Sequence, residues 1–129
     1  MTDENLKSLR MMVVDDAPFI REIVRHVLDS KGIHLVGEAS DGDEAIEMAQ
    51  HLKPDLILMD IIMPKKSGIE ATAEILARNP DIRVIAFSTA NQENLVMRAL
   101  TAGCCNFLVK PFTSEQLIEV ISKSWAPKK

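Results

Sequence analysis

The stretch Leu56–Met59 constrains the fold of this chain most, because four consecutive apolar residues end abruptly in the carboxylate of Asp60. A short run with no polar position is typical of a strand buried on both faces, as in a parallel sheet covered by helices. Taken alone, an aspartate in this place is more often a cap for the following turn. The residues at the other strand ends therefore decide whether Asp60 has a chemical role.

Length and composition limit the classes of protein to consider. With 129 residues, we expect a single domain over residues 1–129. The net charge is −4 and no basic run exceeds two residues, so a nucleic-acid-binding surface is not expected. A membrane span and a secretory signal are not expected either, which favours a cytoplasmic protein. The adjacent Cys104 and Cys105 suit neither a disulfide nor a zinc site, and we predict that they are reduced packing residues.

Short apolar runs alternate with amphipathic segments along the chain. The predicted strands are Met11–Val14, His34–Ala39, Leu56–Met59, Ile82–Phe87 and Asn106–Val109. Each is followed by a predicted helix whose apolar residues recur at intervals of three and four. Inward-facing residues are predicted as Phe19, Ile20, Ile23, Val24, Val27 and Leu28 in the first helix, Ile69, Thr72, Ala73 and Leu76 in the third, and Leu95, Val96, Ala99 and Leu100 in the fourth. Capping boxes are predicted at Ser67 and Thr113, with a similar start at Asp41.

This alternation predicts an α/β fold in which five parallel strands carry helices on both faces, with right-handed crossovers. In such sheets, ligands bind beyond the carboxyl ends of the strands. The polar residues that directly follow the predicted strands are Asp15 and Asp16 after the first, Asp60 after the third, Ser88 and Thr89 after the fourth, and Lys110 after the fifth. We therefore expect these side chains to meet at one edge of the sheet.

The chemistry of this predicted cluster points to a metal ion and an anion. Neighbouring carboxylates repel one another, so the cluster requires a cation. Oxygen ligands without cysteine or histidine favour Mg²⁺, which accepts one or two carboxylates together with a phosphate. Lys110 suits an anionic group bound beside that ion. We infer that the group is phosphoryl.

These residues, together with the apolar loop that follows Asp60, resemble the signature of two-component response-regulator receiver domains. The matching elements are Asp15-Asp16, Asp60, Met63-Pro64 with Ser67-Gly68, Ser88 and Lys110-Pro111. The resemblance extends over about residues 9–125. It implies a flavodoxin-like receiver fold, a doubly wound five-stranded sheet in the order 2-1-3-4-5 with five helices. Within this family, the chain is similar to stand-alone chemotaxis response regulators.

The resemblance also implies a role for each matching residue. Asp60 would take a phosphoryl group from a phosphohistidine and become an aspartyl phosphate. Asp16, helped through water by Asp15, would hold Mg²⁺ together with Asp60 and the backbone carbonyl of Ile62. Lys110 would bind a phosphoryl oxygen. Such a reaction depends mainly on positioning and charge neutralisation around a carboxylate nucleophile.

Two further residues correspond to the positions that change conformation when receivers are phosphorylated. Ser88 matches the switch hydroxyl, which leaves Thr89 in a slot usually filled by a small residue, and Phe107 matches the switch aromatic. A helix cap at Ser88 and a plain core residue at Phe107 remain the alternatives. Ile62 and Ala90 occupy two positions that often carry polar side chains to orient the hydrolytic water. Slow autodephosphorylation is therefore expected.

Three rival interpretations use similar patterns. A haloacid-dehalogenase-type phosphatase would need a second aspartate two residues after Asp60, where this chain has Ile62. A flavin carrier would need a phosphate loop rich in serine, threonine and glycine where this chain has Asp-Asp-Ala-Pro. A scaffolding receiver that is never phosphorylated usually lacks part of the acidic cluster, which is complete here.

The resemblance implies partners, although specificity cannot be read from the sequence. The expected donors are a sensor histidine kinase or a histidine phosphotransferase. The expected output is a protein target that binds the surface of the fourth helix, fifth strand and fifth helix after phosphorylation. We favour a diffusible, chemotaxis-like role over a phosphorelay intermediate. The protein is expected to be a monomer that contacts neither nucleic acid nor membrane. It is expected to catalyse only its own phosphorylation and dephosphorylation and not to act as an enzyme on other substrates.

Overall fold

The computed structural model describes residues 6–89 and 93–125. In chain order its elements are β1 Arg10–Val14, α1 Pro18–Ser30, β2 His34–Ala39, α2 Gly42–Leu52, β3 Leu56–Asp60, α3 Gly68–Arg78, β4 Arg83–Ser88, α4 Glu93–Thr101, β5 Asn106–Val109 and α5 Ser114–Ser124. The strands form one parallel sheet in the order β2-β1-β3-β4-β5. The predicted fold class is confirmed. Within the described ranges, no helix is both long and apolar enough to cross a membrane.

The sheet separates two apolar cores. One core lies between the sheet and α2, α3 and α4, and the other lies between the sheet and α1 and α5. Alternate residues of β3 contribute to opposite cores, and all four from Leu56 to Met59 are fully buried. Burial on both faces explains why this strand has no polar position before Asp60.

Local sequence signals set the starts of the helices. Ser67 accepts a hydrogen bond from the backbone N–H three residues later, and that residue's side chain accepts one from the Ser67 N–H. Thr113 makes the same reciprocal pair, so both predicted capping boxes are confirmed. At Asp41 only half of the motif forms, because the Glu44 carboxylate accepts from the backbone N–H of Ser40 instead.

Several helix positions face differently from the prediction. Phe19 was predicted to face inward, but it is 69% exposed. Ala73 and Leu100 are also exposed, whereas Ile75, which was not predicted to face inward, is buried. Spacing at three and four fits more than one stripe on a helix, and contact with the sheet selects among them.

The two cysteines are both free, and they differ in environment. Cys104 is buried and its Sγ lies 3.9 Å from Thr72 Oγ1. Burial raises the pKa of this thiol to about 11. Cys105 is exposed. The predicted packing role therefore applies to Cys104 and is wrong for Cys105.

Candidate functional site

Three carboxylates meet where β1 and β3 end. These strands are neighbours, with Val14 beside Met59, so the residues that follow them share one edge of the sheet. One oxygen from each of Asp15, Asp16 and Asp60 lies within 4.8 Å of the others. Asp15 is 1% exposed and Asp60 is 4% exposed, whereas Asp16 is open to solvent. The cluster expected from the strand ends is present.

Lys110 reaches this cluster from β5, across the intervening strand β4. Its backbone N–H donates to the Ser88 carbonyl, which continues the pairing of β4 with β5 past the end of the strand. Its Nζ lies 2.6 Å from Asp15 Oδ2 and 3.5 Å from Asp60 Oδ2. The same ammonium sits 4.4 Å from the ring centroid of Phe87. One fixed cation therefore faces the two buried carboxylates.

The pocket disfavours the ionised form of Asp60. Burial raises the pKa of this carboxyl from 3.8 to about 6, and the charges of Asp15 and Asp16 add to that effect. The N–H of Ile62, 3.1 Å from Asp60 Oδ1, and the ammonium of Lys110 act in the opposite direction. Because burial and like charge prevail, the site gains from a further cation. An all-oxygen donor set with this excess of negative charge fits Mg²⁺.

The loop after β3 is held by buried apolar residues. Ile61 and Met63 are buried, whereas Ile62 between them is 53% exposed. The Ile61 N–H donates to the Phe87 carbonyl, and the Ile61 carbonyl accepts from the Gly68 N–H. Burial of Ile61 and Met63 explains two of the apolar positions in the loop that follows Asp60. The Ile62 backbone N–H contacts Asp60 and the Ile62 side chain is open to solvent. The role of the Ile62 carbonyl as a metal ligand stays a prediction.

Two features of this loop were missed in the sequence. A Cβ at Gly68 would overlap the backbone carbonyl of Asp60, so α3 packs against the loop at a distance that only glycine permits. Lys66 Nζ lies 3.2 Å from Asp43 on α2 and 3.2 Å from Glu74 on α3. The sequence predicts a capping box at Ser67, and the glycine that follows it could have indicated this close approach.

The two predicted switch residues lie on adjacent strands. Ser88 ends β4 and is buried, and Thr89 after it is exposed. Phe107, on β5 beside Ala86, is partly buried against the core formed with α2, α3 and α4. Ser88 lies at the end of β4 and Phe107 lies on β5. Contact of Ser88 or Thr89 with the acidic cluster and the switching roles stay predictions. Ala90 lies outside the described residues.

Sequence reasoning also missed a basic residue that contacts the acidic loop, the segment Asp15–Ala17 between β1 and α1. Arg21 Nη1, in the first turn of α1, donates to the carbonyl oxygen of Asp15 at 2.6 Å. An arginine flanked by Ile20 and Glu22 gives no such signal, because a charged helix residue usually indicates a solvent-facing position.

Comparison with known proteins identifies the family. The family model described as the response regulator receiver domain matches residues 11–122. The chain belongs to this family. As a receiver domain it is 39% identical over 114 residues to the chemotaxis protein CheY of Thermotoga maritima, covering 88% of this chain and 95% of that protein. It is 42% identical over 114 residues to the transcriptional regulatory protein PdtaR of Mycobacterium tuberculosis, covering 87% of this chain and 54% of that protein.

A solved structure gives the same result for this receiver domain. The CheX-CheY-BeF3-Mg²⁺ complex from Borrelia burgdorferi superimposes with a TM-score of 0.87 at 27% identity, covering 92% of this chain and 90% of that chain. The acidic cluster and Lys110 thus stand within a receiver fold that is recognised from both sequence and structure.

Proposed function

We propose that this receiver domain is a phosphoacceptor response regulator in which Asp60 becomes phosphorylated. A carboxylate oxygen of Asp60 attacks the phosphorus of a phosphohistidine on a sensor kinase or a histidine phosphotransferase. An oxygen–phosphorus bond forms and the nitrogen–phosphorus bond breaks, and its electron pair leaves with the imidazole. The product is an aspartyl phosphate on this chain.

One observation carries this proposal: Asp60 lies beside two other carboxylates and a lysine ammonium at the carboxyl edge of the sheet. An aspartate that only caps a turn at a strand end does not need such neighbours. In this site, burial together with like charge raises the pKa of Asp60 to about 6. Groups with a strongly shifted pKa in a polar cluster are frequent at functional sites. The arrangement favours phosphoryl chemistry over a simple turn cap.

The donor set supports a role for Mg²⁺. Asp15, Asp16 and Asp60 would hold the ion with the backbone carbonyl of Ile62, Asp15 acting through water. Bound there, Mg²⁺ would neutralise charge on the phosphoryl oxygens. Asp16 is the exposed member of the cluster and remains open to an entering ion.

Lys110 is proposed to bind a phosphoryl oxygen. Its ammonium contacts Asp15 and Asp60, so it lies at the site that a phosphoryl group on Asp60 would enter. A phosphoryl group on Asp60 brings new anionic oxygens to this ammonium, and charge-assisted hydrogen bonds to such oxygens are strong. Phosphorylation therefore changes the partner of Lys110.

Ser88 and Phe107 are proposed to relay the change to a target-binding surface on α4, β5 and α5. Met97 and Leu100 on α4 and Val109 on β5 are among the large apolar side chains that are exposed in the described ranges. Exposed apolar side chains of this kind suit binding of a protein partner. A phosphorylation-dependent protein target is therefore the proposed output.

A chemotaxis-like role is the proposed pathway, since the similarity to CheY extends over nearly all of that protein. We propose that the chain works as a cytoplasmic monomer and catalyses only its own phosphorylation and dephosphorylation. A pull-down that compares the phosphorylated and unphosphorylated protein would identify the target. Capture of a histidine phosphotransferase alone would indicate a phosphorelay.

The phosphoacceptor role is tested with acetyl phosphate, which supplies the same phosphoryl group without a kinase. We expect slower migration on a Phos-tag gel after incubation with Mg²⁺, and unchanged migration with EDTA. A protein whose migration never changes would be a scaffolding receiver.

A further inference from the structure

Arg21 links the acidic loop to the edge of the sheet. Its Nη1 donates to the Asp15 carbonyl at 2.6 Å, and its Nε lies 3.5 Å from Glu38 Oε1 on β2. The side chain is 19% exposed, so the guanidinium is largely withdrawn from water. A planar guanidinium presents several donors in a fixed fork, which lets one side chain hold a carbonyl and a carboxylate together.

The carbonyl that Arg21 binds belongs to the peptide joining Asp15 to Asp16. The N–H of Asp15 donates to the Ala39 carbonyl at 3.1 Å, so the chain is also fixed just before this peptide. One side chain oxygen of Asp15 accepts from the N–H of Ala17 at 2.8 Å. With both ends of Asp15 held, the orientation of the following peptide sets the direction in which the exposed Asp16 side chain leaves the backbone.

We propose that Arg21 is a positioning residue for the acidic cluster: it fixes the Asp15–Asp16 peptide and so pre-orients both carboxylates toward the cation. This inference rests on the proposed Mg²⁺-dependent function and adds a residue that touches neither the ion nor the phosphoryl group. Residues that orient metal ligands from behind typically affect metal affinity by about tenfold to a hundredfold.

Arg25, one helical turn later, provides a matched control. Its guanidinium donates to both oxygens of Glu38 at 2.9 Å and 3.1 Å, but no hydrogen bond joins it to the acidic loop among the described residues. Its side chain is 53% exposed. Arg21 and Arg25 thus share a carboxylate partner and a charge, and they differ in contact with the Asp15 carbonyl.

Charge and positioning predict opposite results when Arg21 is replaced. Loss of a positive charge near the cluster would by itself make Mg²⁺ bind more tightly. Loss of the bond to the Asp15 carbonyl would release the Asp15–Asp16 peptide and make Mg²⁺ bind more weakly. Arg25→Met removes the same charge without releasing the loop, so it measures the charge effect separately.

The experiment is a calorimetric titration of MgCl₂ into the wild type, Arg21→Met, Arg21→Lys and Arg25→Met, each checked for native secondary structure by circular dichroism. We expect the Mg²⁺ Kd to rise about tenfold in Arg21→Met.

Arg21→Lys should recover part of the lost Mg²⁺ affinity, because an ammonium can still donate to the carbonyl. Arg25→Met should have the wild-type Kd or a slightly lower one. Should Arg21→Met fail to fold, Arg21→Gln, whose amide also removes the charge, replaces it in the same comparison.

Phosphorylation by acetyl phosphate gives a second measurement. The rate in Arg21→Met should fall at low Mg²⁺ and recover as Mg²⁺ is raised, since the defect is one of ion binding. An unchanged or lower Mg²⁺ Kd in folded Arg21→Met, or in Arg21→Gln where that variant replaces it, would overturn the positioning role. Failure of the wild type to bind Mg²⁺ or to accept phosphate would instead contradict the proposed function.

Discussion

Lys110 Nζ lies 2.6 Å from Asp15 Oδ2, although 95 positions separate the two residues in the chain. The contact crosses β3 and β4, because Lys110 follows an outer strand and Asp15 follows β1. It places a cation beside the two buried carboxylates of Asp15 and Asp60. Even so, the pKa of Asp60 stays raised, because burial and the neighbouring carboxylates outweigh the Lys110 ammonium and the Ile62 N–H. Ionised Asp60 therefore destabilises the folded protein.

Asp60→Asn should stabilise the metal-free protein above about pH 6 by roughly 3 kcal/mol relative to wild type. The folded protein holds the Asp60 proton up to pH about 6, whereas the unfolded chain releases it near 3.8. The folded wild type therefore loses stability as pH rises through this window, and an amide, which does not ionise, avoids that loss. Urea unfolding in EDTA across the window measures the difference.

Glu47→Gln on the exposed face of α2 is the control for this comparison, and its stability should follow wild type at every pH. A gap between Asp60→Asn and wild type that does not widen with pH would show that the Asp60 charge is not disfavoured in the folded state.

Mg²⁺ should raise the melting temperature of the unphosphorylated protein, because an ion that binds only the native state stabilises it by mass action. Asp16→Ala should remove most of this increase. Asp29→Ala, at an exposed carboxylate near the end of α1, should retain it. An equal magnesium-dependent increase in Asp16→Ala would mean that the ion binds elsewhere.

Gly68→Ala should destabilise the protein by about 3 kcal/mol or more, since the added methyl group would overlap the Asp60 carbonyl. Ser67→Ala, which removes the adjacent helix cap, should cost only about 1 kcal/mol. Urea unfolding of the two variants gives both values. Similar costs for the two would mean that the loop can move away from α3.

Autodephosphorylation should be slow, because the exposed Ile62 side chain beside Asp60 cannot orient a water. The double variant Ile62→Asn with Ala90→Glu should lose phosphate faster, since such assistance is typically worth ~10²-fold in rate. Loss of radiolabel is the suitable measurement.

Trp125 fluorescence would be a poor reporter of the phosphoryl group. The Trp125 ring centroid lies 5.8 Å from the guanidinium of Arg83, which begins β4, whereas the acidic cluster lies at the opposite, carboxyl end of the strands.

The single variant Ile62→Asn shows how much of the effect comes from this position, since Ala90 lies outside the described residues. A double variant with the parental half-life would mean that side-chain orientation of water does not limit the reaction.

Local signals in the sequence were sufficient for much of the fold. The capping boxes at Ser67 and Thr113 involve atoms three residues apart, so a short stretch of sequence contains the whole motif. The strands were recognisable because burial on both faces removes polar residues. The strand order came from the family resemblance instead, because periodicity contains no information about which strands are neighbours.

What the sequence could not show depends on contacts between distant segments. Phe19 fits the apolar stripe of α1, yet the sheet contacts the helix along another part of that stripe. Arg21 looks like a solvent-facing residue until its bond to the Asp15 carbonyl is seen. The acidic cluster was predictable because parallel strands bring their carboxyl ends to one edge, but the pKa of Asp60 depends on burial that only the packed structure determines.

The most direct test of the central claim is intact-mass spectrometry after incubation with acetyl phosphate and Mg²⁺. Wild type and Glu47→Gln should each gain one phosphoryl group, whereas Asp60→Asn should gain none while remaining folded by circular dichroism. An undiminished phosphoryl adduct on folded Asp60→Asn would contradict the assignment of Asp60 as the phosphoacceptor.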